Sequence, residues 1–269
     1  MFDFIRLARK PGFLSSAAHV VLNLLLALGV IALTVLFNTV LPAVFLVILS
    51  KWRIFAVRPR YWWANILSSV PDLVFSFSIV ILSWQVGQYG RMLEVDGIST
   101  LLPAWSVQLI LGIIYAVWLI LIKPKNSDRF VKFQASASQF IGLLAIFFIA
   151  QILPMEIAVI LAFIVATSSA RQMLGIYKEK YKGLISLAWG LIVVELVWIS
   201  WHWSVYYSVA ALVRIPQVAI IVTAIAFVAS KVYGAWHDDR KIDWDELGVP
   251  SVMAGLLAIV ILFGFSGLF

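Results

Sequence analysis

Apolar runs of about twenty residues, each ended by a short polar or charged stretch, follow one another along the chain. They fall near 18–37, 40–57, 64–86, 101–122, 135–153, 155–172, 184–203, 212–235 and 249–268. A helix rising 1.5 Å per residue needs about 20 apolar residues to cross a hydrocarbon core about 30 Å thick. Each run is therefore read as one crossing, nine in all. Two boundaries come from turns inside longer apolar stretches. Ala17 to Ser50 is too long for one ordinary span and contains Asn38 and then Leu41-Pro42; Ala135 to Ala170 has the same form, with Leu153-Pro154 near its middle. The weakest span is the second, whose apolar stretch is short before Lys51.

Composition sharpens this picture. Hydrophobic residues make up 63% of the 269 positions and charged residues 12%. Soluble domains carry about a quarter charged residues, so a water-soluble fold is excluded. Cysteine is absent, which removes disulfides, thiol catalysis and thiolate-held metals. The net charge of +7 sits in short loops between apolar runs. That arrangement suits anionic lipid headgroups, not nucleic acid. Residues 1–14 read as an interfacial amphipathic helix, with Phe4, Ile5 and Ala8 on one side and Arg6, Arg9 and Lys10 on the other. The apolar run that follows is longer than a signal-peptide core and is read as a retained span.

Basic residues orient the threading. With nine spans and a cytoplasmic N-terminus, 18 of the 20 Lys and Arg fall on the inner side, leaving only Arg91 and Arg214 outside. The C-terminus is then outside. Trp52, Trp62, Trp63, Trp118, Trp236 and Trp244 fall near the inner interface, and Trp84, Trp105, Trp201 and Trp203 near the outer one, as membrane anchors. The membrane expected is the cytoplasmic (plasma) membrane.

The chain also repeats itself. Leu41-Pro42 recurs as Leu153-Pro154, Pro103 as Pro216, and Asp128-Arg129 as Asp239-Arg240, each at the same place in the threading. The expected architecture is an all-α integral membrane protein of about nine transmembrane helices, built as a 4+4 parallel internal repeat plus one helix. The units are 17–129, 135–240 and a final helix at 249–268, within one bundle. Equal orientation of the repeats implies a pseudo-twofold axis along the membrane normal. Ala158, Ala162, Ala166 and Ala170 recur every fourth residue and form a smooth stripe for helix packing, with Ser138 and Gly142 as its expected facing groove.

Ionisable groups within spans are the candidates for chemistry. Asn65, Ser69, Asp72 and Ser76 are spaced by 4, 3 and 4 and share one helical face, next to Pro71. That polar stripe lines a cavity or ion path, or forms a hydrogen-bonded seam with Asp72 paired to Lys231 or to a nearby loop cation. Glu195 and Arg214 lie about equally far from the turn expected near 204 or 205, and are expected to pair; His202 lies seven residues after Glu195 on the same face. Together they would form a polar cluster below the outer surface. Glu156 is read as an interfacial charge. The acidic stretch His237 to Glu246 is read as a solvated loop, with spacing unlike a calcium-binding loop.

No phosphate loop, paired-histidine metal motif or nucleophile elbow is present. The three histidines are spread over both faces, so no metal site and no cofactor is expected. Three functional classes remain. The first is a small-solute or ion transporter using the buried polar residues of helices 3, 7 and 8. The second is a non-catalytic membrane subunit or scaffold, with a membrane-protein partner or a homo-oligomer. The third is an intramembrane lipid-modifying enzyme, although catalysis is the less favoured reading overall.

Overall fold

A computed structural model describes residues 13–96, 102–203, 205–209, 212–239, 252 and 255. The helices, in chain order, are α1 (Phe13–Phe37), α2 (Leu41–Ser50), α3 (Trp62–Val95), α4 (Ala104–Val117), α5 (Asp128–Phe148), α6 (Met155–Ile176), α7 (Lys182–His202) and α8 (Gln217–Asp239). The last turn of α4 runs on as a π-helical turn, Trp118–Ile122. A two-stranded antiparallel ribbon, β1 (Tyr206–Val209) and β2 (Val213–Pro216), links α7 to α8. Among the described residues seven helices are long and apolar enough to cross a membrane: all but α2, with α4 counted together with its π turn. The chain is thus a multi-pass α-helical membrane protein.

The run expected to cross at 40–57 makes a helix of only 10 residues, about 15 Å long or half the hydrocarbon thickness. It stops at Ser50, and 3₁₀ turns at Trp52–Ile54 and Pro59–Tyr61 carry the chain on to α3. In contrast, α3 has 34 residues, about 51 Å, and overshoots the core. The expected interfacial helix at 1–14, but for its last two residues, lies outside the described residues. So do the acidic loop beyond Asp239 and, apart from Val252 and Gly255, the expected crossing at 249–268.

Side-chain contacts between elements fix how the helices alternate. At one end, Trp118 of the π turn reaches Asp72 early in α3, Gln172 late in α6 reaches Gln134 early in α5, and Tyr233 late in α8 reaches Glu179 in the α6–α7 connection. The connections at 51–61, 123–127 and 177–181 gather there and carry most of the described lysines and arginines. We call it the basic end. At the far end, α1 turns into α2 through Asn38, whose φ of 52° asparagine tolerates better than most side chains. The carbonyl of Asn38 accepts Trp84 Nε1 at 3.1 Å, and its Oδ1 accepts Gln88 Nε2 at 2.9 Å and an Arg91 guanidinium N–H. The turn is thereby tied to α3.

Polarity is inverted relative to a water-soluble bundle. Large apolar side chains such as Leu22, Leu36, Leu41 and Leu184 are exposed, while Ser76, Ser83, Gln108, Ser138, Gln139 and Ser169 are buried. In lipid, apolar surface gains little by leaving the exterior, so small and polar residues form the seams. Gln108 Nε2 donates to the Ser83 carbonyl at 2.9 Å, and Ser169 Oγ to the Ala135 carbonyl at 2.9 Å. Packing divides into one core from α1–α4, around Val30, Val47, Ile79 and Tyr115, and another from α5–α8, around Leu143, Ala162, Val193 and Val222. A third, around Leu82, Val86 and Phe148, joins α3 to α4 and α5.

Ala158, Ala162 and Ala166 are wholly buried in the second of these cores, and Ala170 is half-buried. Gly142 of α5 faces two helices at once. A Cβ placed there would lie 2.8 Å from Val165 Cγ1 of α6 and 2.9 Å from Val74 Cγ1 of α3. Both neighbours are β-branched and stiff, so neither yields easily. Gly→Ala in a helix ordinarily stabilises by about 1 kcal/mol, whereas overpacking costs about 1–3 kcal/mol. Gly142→Ala is therefore expected to lower the melting temperature of the detergent-solubilised protein. Gly183→Ala, where a Cβ meets nothing within 4 Å, should leave it unchanged or raise it.

The far-end connection between α7 and α8 departs from expectation. Residues 213–216 belong to the ribbon, and α8 starts only at Gln217. Val, Tyr and Ile at Val205–Val209 and Val213–Ile215 favour strand. The ribbon pairs Ser208 with Arg214, and Gln217 N donates to the Val205 carbonyl at 2.9 Å to close its base.

Candidate functional site

Asp72 lies in the third turn of α3, directly after the buried Pro71. Proline lacks an amide hydrogen, so the turn below Asp72 loses one backbone bond and the Leu67 carbonyl is released. Ser76 Oγ donates to the Asp72 carbonyl at 2.7 Å. The Asp72 side chain, 16% exposed, is shared by two lysines. Lys51 Nζ bonds to Oδ2, and Lys123 Nζ lies 2.8 Å from the same oxygen. Trp118 Nε1 donates to Oδ1 at 3.0 Å. The Trp118 ring, itself buried, stacks on Phe75 with centroids 3.7 Å apart and planes 5° from parallel.

Each partner is put there by a local feature of the chain. Because α2 is short, Lys51 at its C-cap is delivered to the level of Asp72 and not to the headgroups. Its ammonium also sits where the carbonyl end of the helix dipole favours positive charge. The Lys51 side chain is 10% exposed against 40% for Lys123. Lys123 depends on the π turn. Five residues apart in an α-helix, Trp118 and Lys123 would point about 140° away from each other. The bond from Lys123 N to the Trp118 carbonyl, 2.8 Å, closes an i→i+5 ring that stacks the two on one face. Single π turns of this kind are frequent at functional sites.

A cavity of about 250 Å³ opens beside the carboxylate. Ser68, Ser69 and Asp72 of α3 form one wall, Trp118, Lys123 and Asn126 a second, and Gln134 of α5 and Gln172 of α6 a third. The half-exposed Lys123 and the exposed Asn126 put its rim at the basic end. Hydrogen bonding settles both amide orientations. Gln134 Nε2 donates to the carbonyls of Ile122 at 2.8 Å and Lys125 at 3.1 Å, so Oε1 faces the other way. That oxygen accepts Gln172 Nε2 at 3.0 Å. Gln172 Oε1 is then left buried with no partner. Two further cavities, of about 210 Å³ and 110 Å³, lie along the α7–α8 seam and are lined mainly by apolar and aromatic residues.

The structure disperses the other sequence candidates. Ser69 lines the cavity and Ser76 caps the Asp72 carbonyl, whereas the Asn65 carbonyl only accepts Ser68 Oγ at 2.9 Å. Lys231, one expected partner of Asp72, lies on α8 over the Phe227 ring; the cations at Asp72 come from the connections that follow α2 and α4. Glu195 and Arg214 form no ion pair. Glu195 is exposed on α7, while the ribbon carries Arg214 to α3, 5.4 Å above the Tyr89 ring. The nearness in depth on which the pairing relied assumed two helices meeting at a tight turn. His202 Nδ1 stays on its own helix, 3.0 Å from the Trp198 carbonyl. Glu156 is exposed in the first turn of α6, where a helix favours negative charge.

The site therefore draws on Lys51, Trp118, Lys123, Gln134 and Gln172, none of which the sequence singled out. One signal was available: only ten residues separate Asn38-Thr39-Val40 from Lys51, too few to bring that lysine out to the headgroups. Comparison with family models, with curated proteins and with solved structures finds no match, and the function is argued from this geometry.

Proposed function

We propose that the protein is a transporter for a small solute, with the chamber beside Asp72 as its binding site. The observation that carries this reading is a carboxylate within a membrane-crossing helix, shared by two ammonium groups and bordered by a polar cavity. Ionisable groups at such depth are expensive and are kept for function. A purely structural ion pair would be packed round by side chains, since protein interiors leave few voids larger than a water molecule. The chamber belongs to α3–α6, so it keeps the third helix of the expected set and replaces the seventh and eighth. A scaffold role draws less support, because Ala158, Ala162 and Ala166 are buried against the protein's own helices and offer no free seam to a partner.

The same reading includes nine crossings, a cytoplasmic N-terminus, an outside C-terminus and residence in the plasma membrane, with anionic headgroups held by the basic loops. It also includes two four-helix units, 17–129 and 135–240, and a final helix at 249–268. Two features support the units. Each of two cores is built from four consecutive helices. Pro42 and Pro154 stand at the starts of α2 and α6, and Pro103 and Pro216 at the starts of α4 and α8.

Counterflow of a panel of radiolabelled small solutes into proteoliposomes tests the proposal. Lys123→Gln is the variant of choice because it leaves a balanced Lys51–Asp72 pair. At least a tenfold loss of flux at an unchanged melting temperature is expected. Flux indifferent to this change, or no flux of any solute, would refute it.

A further inference from the structure

We infer that the solute is a small oxyanion that still carries a proton: phosphate, free or as the monoester headgroup of a lipid. This rests on the transporter reading for its site, although the binding it asserts stands apart from movement.

Charge counting is the first argument. Lysine and aspartate are charged at neutral pH, and two ammonium groups meet one carboxylate. The cluster carries one positive charge in excess, in surroundings where an uncompensated charge is costly. Lys51 is screened behind Asp72, while Lys123 lines the cavity. An ammonium has three donors, and Asp72 takes one from Lys123. The remaining donors at the cavity wall are neutral: the hydroxyl of Ser69 and the amide of Asn126, while the Ser68 hydroxyl is held by the Asn65 carbonyl. A wall of one cation and these neutral donors suits oxygen atoms sharing negative charge.

Gln172 supplies the second argument, independent of charge. Its Oε1 is a buried acceptor with no partner, and the two backbone carbonyls that hold Gln134 prevent the pair of amides from turning over. An unmet buried acceptor costs about 1–3 kcal/mol, which a ligand removes by donating a hydrogen bond. A fully deprotonated anion cannot do so, but hydrogen phosphate can, and so can a phosphate monoester in its singly protonated form. Size is the third argument. At about 250 Å³ the cavity falls below the range of about 300–1,000 Å³ usual for larger ligands. It accommodates a phosphate group with room for bound water.

Sulfate is the discriminating control, being tetrahedral and of similar size but without a proton. The test measures binding of ³³P-phosphate and ³⁵S-sulfate to the purified full-length protein in neutral detergent. Phosphate should bind, and sulfate at least tenfold more weakly. Lys123→Gln should abolish phosphate binding. Gln172→Met, which keeps shape but removes the acceptor, should bring phosphate down to the level of sulfate. A lipid source would show instead as phosphatidic acid retained by the wild-type protein in mixed nanodiscs and lost by Lys123→Gln, with no free phosphate bound. Equal binding of the two anions, or phosphate and phosphatidic acid both indifferent to Lys123→Gln, overturns the inference. Counterflow of a cation or neutral solute that requires Lys123 would overturn it too while sparing the transporter; selective phosphate binding without any counterflow would uphold it and refute transport.

Discussion

Asp72→Asn should be the most damaging single change among the three charged groups of the chamber, lowering stability by about 3–5 kcal/mol, the usual cost of removing one member of a buried ion pair. The reason lies in the count of charges. With Asp72 present, Lys51 and Lys123 share one carboxylate. Without it, two ammonium groups face each other with no counter-charge, one of them on a side chain only 10% exposed. Loss of either lysine works the other way, since the residue left behind still has Asp72 to balance it. Lys51→Met and Lys123→Met should therefore cost much less than Asp72→Asn, by at least about 1.5 kcal/mol, one hydrogen bond to a charged group. In a Lys51→Met background the cost of Asp72→Asn should shrink, because the two changes share one interaction. Thermal unfolding followed by circular dichroism in detergent measures all four. Similar losses for Asp72→Asn and Lys51→Met would show that the excess charge is not present in the folded protein.

Much of the threading can be read from hydrophobicity alone, because lipid imposes it. Expected crossings at 155–172 and 184–203 fall almost on α6 and α7, and the turns at Asn38 and Leu153-Pro154 are where the helices break. Misses occur where polarity and helicity part company. The sequence reading begins the fifth crossing at 135, but α5 starts at Asp128, because a helix extends beyond the apolar core when its first turns carry polar residues. Ser127-Asp128 marks that start by its residue types. At 213–216 the residues pass for the start of the crossing expected at 212–235, and only the β-branched character of Val213 and Ile215 separates strand from helix.

The site was legible in the α3 stripe of Ser69, Asp72 and Ser76 and hidden in the partners of the carboxylate. Asp72 stands out because an acid within an apolar run is conspicuous. Lys51 and Lys123 do not, since a basic residue at the end of an apolar run looks like any loop cation. What distinguishes them is length and winding: α2 is too short to carry Lys51 clear of the core, and a π turn rotates Lys123 inward. The first shows in the sequence only as the short apolar stretch before Lys51, and the second leaves no mark on the pattern of apolar positions. Trp118 is hidden for a similar reason, since its depth fits an interfacial anchor and only the fold shows it 2% exposed. The Glu195–Arg214 expectation went astray in the opposite sense, from a depth argument that was sound only for two helices joined by a tight turn.

Trp118 makes two kinds of contact that substitution can separate. Its ring is stacked on Phe75 at 3.7 Å, and its Nε1 holds Asp72 Oδ1 at 3.0 Å. Trp118→Ala removes both and leaves a cavity in the α1–α4 core, for which a loss of about 3–5 kcal/mol is expected. Trp118→Phe keeps an aromatic face over Phe75 but gives up the hydrogen bond to a charged acceptor, worth about 1.5–3 kcal/mol. The smaller loss should come with a functional effect out of proportion to it, because Asp72 then lacks the group that fixes one carboxylate oxygen while the lysines hold the other. Trp118→Phe is thus expected to weaken ligand binding at the chamber at least tenfold at a stability cost well below that of Trp118→Ala. The comparison needs only melting temperatures and binding isotherms on the same preparations. If Trp118→Phe binds as the parent does, Trp118 is a packing residue alone, and the π turn serves to place Lys123 and nothing else.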